Sequence, residues 1–179
     1  MGASKHYADQ VFTPAPAGRR VRMVTTLVLL LFPTLILVIA LLQPRDPVGV
    51  YVFAVLSPLA GLAVAAIAWF LARISAYRLV DGELVVIRRL QCPRFSLDGL
   101  VSVASDPQAL RRALRIVGND GLGAISGRFR SRRLGRFRAY ATDGEKAVVL
   151  LWSDRCVVVT PERPASFIDA VSRRAGLRS

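Results

Sequence analysis

Two uncharged apolar runs, almost back to back, constrain this chain more than any other feature. Met23–Leu42 (MVTTLVLLLFPTLILVIALL) spans 20 residues without a charge, and Val48–Ala72 spans 25 more. As a helix, either is long enough to cross a hydrocarbon layer of about 30 Å. Only Gln43-Pro44-Arg45-Asp46-Pro47 lies between them, so the spacing predicts a tight transmembrane hairpin over 23–72. The first run exceeds the roughly 7–15 residue apolar core of a cleaved signal peptide, and no small-x-small site follows it. A pair of buried core helices is disfavoured, because a 179-residue chain has little protein with which to cover two such blocks.

The flanking charges orient the hairpin. Arg19, Arg20 and Arg22 precede the first run, Arg73 and Arg78 follow the second, and the loop carries Arg45 beside Asp46. The positive-inside rule then predicts a multi-pass protein of the bacterial inner membrane with both termini cytoplasmic and the loop outside. Cys92 and Cys156 would sit in a reducing compartment and read as free thiols. The formal charge is +13, from 25 Lys and Arg against 12 Asp and Glu, and all but Lys5 and Lys146 of the basic residues are Arg. A GC-rich genome produces that bias without selection for binding. Even so, a basic domain tethered beside a bilayer faces an anionic surface.

Residues 1–22 read as a disordered cytoplasmic tail: they lack periodicity, carry Pro14 and Pro16, and hold the lone histidine, His6. Ser57, Gly61 and Ala65 form a small-residue face suited to close packing on the first span. Tyr51 and Trp69 are placed as interfacial anchors. Residues 76–179 read as one domain. Ala76–Val80 and Glu83–Leu90 flank Asp81-Gly82, a hairpin turn, and Phe95–Ala104 is a third strand region bent at Asp98-Gly99. Pro107–Val117 reads as a short helical piece on the spacing of Leu110 and Leu114. Ala124–Arg130, Arg136–Thr142, Ala147–Trp152 and Cys156–Thr160 are further strands. Pro164–Ala175 is an amphipathic helix with Phe167, Ala170, Val171 and Ala175 on one face. About seven strands closed by a C-terminal helix make an α+β chain with a pleckstrin-homology-like (PH-like) β-barrel, expected to fold without anything before Ser75.

The stretch Arg128-Phe129-Arg130-Ser131-Arg132-Arg133-Leu134-Gly135-Arg136-Phe137-Arg138-Ala139-Tyr140-Ala141-Thr142 is followed by the apolar strand Val148–Leu150 and by Val157-Val158-Val159-Thr160-Pro161. This resembles bacterial membrane proteins with a PH-like domain, in which two N-terminal spans commonly precede the domain and a Gly-rich segment precedes the Phe-Arg-Ser stretch. Gly118, Gly121, Gly123 and Gly127 match that segment. The resemblance covers roughly Ala76–Gly176 and implies a fold and a membrane setting, not an activity.

Catalytic chemistry has little to stand on. The domain's carboxylates are scattered singly at turns, no domain histidine exists to form a Ser-His or Cys-His pair, and the glycines at 118–127 lack the Lys-Ser/Thr of a phosphate loop. A non-enzymatic binding or assembly module is expected, with no catalytic residue, metal or cofactor. The one chemical candidate is the basic run: Arg128, Arg130, Arg132, Arg133, Arg136 and Arg138, six arginines in eleven residues. Strand alternation puts Arg128 and Arg130 on one face and Phe129 on the other, and Arg136, Phe137 and Arg138 repeat the pattern. Such a ribbon suits anionic lipid, because guanidinium groups donate paired hydrogen bonds to phosphate. A solvated outer face, Arg-rich by genome bias, is the competing reading. A protein partner, a nucleic acid, or a regulatory role within a membrane complex are the alternatives. Nucleic acid is disfavoured, because both phenylalanines should face inward and leave no stacking surface.

Overall fold

The computed structural model describes residues 9–42 and 47–177, with the backbone alone for Ala40, residues 47–54 and Asp120. The expectations for His6, the loop at 43–46 and the Tyr51 side chain therefore lie outside the described residues. Helices α1 (Arg19–Leu41) and α2 (Pro47–Ala72) form the hairpin. A Cβ on Gly61 would stand 2.7 Å from Ile36 Cδ1 and 3.5 Å from the Pro33 Cα. The small-residue face of α2 is thus the one laid on α1, where it allows close approach. Thr34, next to Pro33, donates its hydroxyl to the Leu30 carbonyl at 2.7 Å. The remaining surface, with Leu27, Leu30, Leu35, Leu59, Leu62 and Ile67, is bare. Both helices are long and apolar enough to cross a membrane, and almost none of either is buried within the chain.

The rest of the chain forms two sheets. In the smaller, β1 (Gln10–Phe12), β2 (Ile74–Val80), β3 (Glu83–Arg88) and β4 (Arg94–Ser96) follow one another in antiparallel order. The larger holds β5 (Leu100–Ser105), β6 (Leu114–Asp120), β7 (Ile125–Ser131), β8 (Gly135–Ala141), β9 (Val148–Trp152) and β10 (Cys156–Val159), in the order β5-β9-β10-β8-β7-β6. Within it β10 runs parallel to β8. Helix α3 (Pro164–Ala175) follows. The α+β class, the upstream helix pair and the C-terminal helix agree with the sequence. The sheets differ: among the described residues, ten strands form two separate layers that do not close into a barrel. The region read as one strand over Phe95–Ala104 is cut at Asp98-Gly99, where Gly99 takes φ +70°. The chain passes there from the smaller sheet to the larger.

Two further expectations fail for identifiable reasons. Pro107–Val117 is not helical; a turn over 107–112 leads into β6. Asp106 accepts from the Gln108 amide at 3.0 Å, Arg112 takes φ +58°, and pairing with β7 from Leu114 onward overrides the local helical spacing. Leu110 is buried while Leu114 is exposed, so the two never shared a face. Nor are residues 9–22 a disordered tail. β1 pairs with β2, and Arg78 pairs with Asp9. The Ala15 amide donates to the Thr160 carbonyl at 2.8 Å, Thr142 Oγ1 donates to the Ala15 carbonyl at 2.6 Å, and the Gly18 amide donates to the Thr142 carbonyl at 2.9 Å. Prolines suit such an extended strap because they bring no N–H to satisfy. Its partners lie more than 60 residues away, where local pattern cannot see them. A chain begun at Ser75 therefore lacks a strand of its own smaller sheet.

Two cores flank the larger sheet. Between the sheets lie Tyr77, Leu79, Leu84, Val86, Phe95, Tyr140, Leu150, Val157 and Val159, closed by Phe167, Ala170 and Val171 of α3. Tyr77 OH donates to the Tyr140 carbonyl at 2.6 Å and accepts from the Thr160 amide at 3.2 Å; burial pushes this phenol up to about 12. On the opposite face Phe129, Phe137, Ala139, Val149 and Val158 pack with Ala109, Leu110 and Val21 of α1.

The domain also grips the hairpin directly. Thr25 of α1 donates its hydroxyl to the Gly121 carbonyl at 3.0 Å and accepts from the Gly123 amide at 3.0 Å. A Cβ on Gly121 would stand 2.9 Å from Val24, and one on Gly123 would stand 2.8 Å from the Trp69 carbonyl oxygen. The β6–β7 turn therefore fits against both helices only because it is glycine.

Phe167 is the key of the first core: it is fully buried, with ring centroids 5.2 Å from Phe12 and 6.3 Å from Tyr77. Phe167→Ala is expected to cost about 3–5 kcal/mol. Chemical unfolding of the detergent-solubilised chain, followed by tryptophan fluorescence, measures it.

Candidate functional site

The basic run folds as a hairpin of β7 and β8. Their register sets Arg128 opposite Arg138, Phe129 opposite Phe137, and Arg130 opposite Arg136. All four strand arginines are exposed and both phenylalanines are buried, their rings 5.9 Å apart and nearly parallel. The alternation expected from the sequence holds. Arg132 and Arg133 are instead in the connecting turn, and Arg133 Nη1 lies 3.2 Å from Asp106 Oδ1. The six arginines thus divide into four on one strand face and two at its far end.

That face is not an outer wall. Arg138 pairs in register with Val157, and Tyr140 with Val159; partners across strands share a face. Val157, Val159 and Tyr140 all belong to the core between the sheets. The arginines therefore lie on the inward face of the larger sheet, along the part that the smaller sheet leaves uncovered. The mouth so formed is a cleft of about 500 Å³ between the end of β3 and the β6–β7–β8 ribbon. Arg88 and Gln91 form one wall; Arg128, Arg138, Asn119 and Ser126 stand on the other.

Among the described residues, no acidic side chain lines this cleft. Arg88 Cζ lies 6.0 Å from the centroid of the Tyr140 ring, and its Nε is buried without a hydrogen-bond partner. Asn119 is spoken for: its amide donates to the Ala124 carbonyl at 2.8 Å and to the Leu122 carbonyl, and it accepts from the Leu122 amide at 3.1 Å, bracing the turn that grips α1. Gly118 and Gly127 face each other across β6 and β7. The cleft therefore shares its floor with the turn that docks on the helices.

The second wall of the cleft also starts at the hairpin. The guanidinium of Arg89, adjacent to Arg88, lies 3.9 Å from the Phe70 ring centroid of α2. Arg88, Gln91 and Ser126 were missed by the sequence reading, which had no means of joining β3 to β7 across 40 residues. Cys92, beside Gln91, is exposed; Cys156 is buried, and burial pushes its thiol up to about 11.

Two stacked sheets with a C-terminal helix closing the core between them, behind a pair of long apolar helices, define a PH-like domain following a helical hairpin. The chain belongs to the bacterial PH domain family, whose pattern matches residues 75–175. No curated protein and no solved structure matches it. Membership supports a binding role in general terms and names no ligand.

The Gly118–Gly127 pair leaves no room for change. At Gly127, φ is +140° and a Cβ would stand 2.2 Å from the Val117 carbonyl oxygen. Gly127→Ala is expected to destabilise the domain by at least about 1–3 kcal/mol and to loosen the β6–β7 pairing. Amide hydrogen exchange across β6 and β7 reads both effects.

Proposed function

We propose that the chain is a non-enzymatic binding and assembly module, anchored by its two helices at the inner face of the bacterial cell membrane with both termini cytoplasmic. The observation that carries this reading is where the domain docks. It grips the hairpin at Val21, Val24 and Thr25 of α1 and at Trp69 and Phe70 of α2. These are the ends that carry Arg19, Arg20, Arg22 and Arg73. The positive-inside rule puts such ends in the cytoplasm. Thr25 lies only six residues into α1, about 9 Å along its axis, so the domain rides at the level of the lipid head groups.

The β7–β8 arginines then face a surface to which each contributes about 1 kcal/mol of attraction. Anionic lipid is the contact their chemistry fits. A protein partner is the second reading, favoured by edge strand β6, where Leu114 is 72% and Val117 65% exposed. Nucleic acid has less support, because Phe129 and Phe137 are buried and unavailable for base stacking.

Topology is the first test. Reporters active only in the cytoplasm are expected to work when fused at residue 1 or residue 179, and periplasmic reporters to work only from the 43–46 loop. Periplasmic activity at either terminus overturns the reading.

A further inference from the structure

We propose that Arg88, Arg128 and Arg138 form a discrete site for the phosphate group of a membrane lipid, distinct from a diffuse attraction along the whole basic ribbon. The inference rests on the membrane reading above and narrows it to one cleft. Arg88, Arg128 and Arg138 line a cleft of about 500 Å³ with no carboxylate among its described lining residues. That volume lies in the range of small-ligand sites and accommodates a phosphorylated head group.

The arrangement suits an anion. Arg128 and Arg138 are direct cross-strand partners, and like charges placed so repel. Three other arginines have acidic partners: Arg133 has Asp106, Arg94 has Glu83 and Arg78 has Asp9; the next rung of the ribbon, Arg130 opposite Arg136, repeats the like-charge pairing outside the cleft. Among the described residues the cleft has no such acid, and Arg88 has a buried Nε–H with none of them to accept it. A phosphate between these residues would accept from Arg88 and neutralise the opposed pair, because guanidinium forks match its geometry. Lipid is the source favoured by position, since Arg89 rests on Phe70 and the β6–β7 turn rests on Trp69. Both walls of the cleft thus begin at the base of α2.

The test uses the full chain, labelled at exposed Cys92 with an environment-sensitive fluorophore, in nanodiscs of neutral phosphatidylcholine with increasing phosphatidic acid at about 0.15 M salt. The label sits beside Gln91 of the cleft, and the Cys92 thiol contacts the Arg88 carbonyl at 3.5 Å. A saturable response is expected. Arg88→Gln and Arg138→Gln should each weaken it about tenfold or more, while Arg132→Gln in the far turn should change it less than about twofold. Arg138 is exposed, so its variant keeps the fold and the test stands even if Arg88→Gln fails to express. Equal losses from Arg132→Gln and Arg138→Gln overturn the discrete site and leave the diffuse membrane contact standing. No response to phosphatidic acid overturns the site outright. A second arm adds glycerol phosphate or inorganic phosphate to neutral nanodiscs. An equal response there, with the same dependence on Arg138, upholds the phosphate site and overturns its lipid source.

Discussion

The Thr25 hydroxyl governs how the two halves of this protein are joined. A single side chain on α1 donates to Gly121 and accepts from Gly123, in a contact where Thr25 is almost fully buried. In that setting neither the turn nor the hydroxyl can trade its bond for water, so separating domain from hairpin leaves buried polar groups unmade at about 1–3 kcal/mol each. The strap over Pro14–Gly18 adds a second attachment through Thr142 and Thr160. Val21 adds a third by entering the core beneath the larger sheet. The domain is therefore fixed on the hairpin, not hung from it by a linker. That rigidity fixes which surface of the domain lies beside the base of the helices.

The open mouth between the sheets follows from the same construction. A closed barrel would cover the inward faces of β7 and β8, and those positions would then have to be apolar. Here the smaller sheet stops at β4, and the uncovered positions 128, 130, 136 and 138 are all Arg. The reverse side of the same strands carries Phe129 and Phe137, so the ribbon is held down by its aromatic face while its charged face stays free. The Gly118–Gly127 and Gly121–Gly123 positions let that ribbon pair tightly with β6 and reach the helices at once. One hairpin thereby links the two apolar helices to the basic cleft.

Much of this was legible locally. The apolar runs, the Asp81-Gly82 hairpin and the amphipathic α3 rest on short-range periodicity and turn chemistry, and they stand where the sequence put them. The alternation of Arg and Phe in β7 and β8 was readable for the same reason. What escaped depends on distant partners. The strap at 9–18 looked like a tail because its bonds go to Thr142 and Thr160. The segment 107–117 looked helical because Leu110 and Leu114 are four apart, yet the pairing of β6 with β7 decided the matter. The competing reading of the ribbon as a solvated outer face depends on barrel closure, which the two open sheets do not provide, and nothing local in the sequence brings Arg88 of β3 to the cleft it shares with Arg138 of β8.

We propose that the Thr25 contact clasps the domain at head-group depth. A nitroxide on Cys92 of the full chain in lipid nanodiscs measures this depth directly, through its relative exposure to oxygen and to a water-soluble nickel chelate. Only Cys92 takes the label at neutral pH, since Cys156 is buried and its thiol is pushed up to about 11. The label is expected at the level of the lipid phosphates, displaced toward water by Thr25→Val. A label fully exposed to the chelate in the unaltered chain, and unmoved by Thr25→Val, would contradict it.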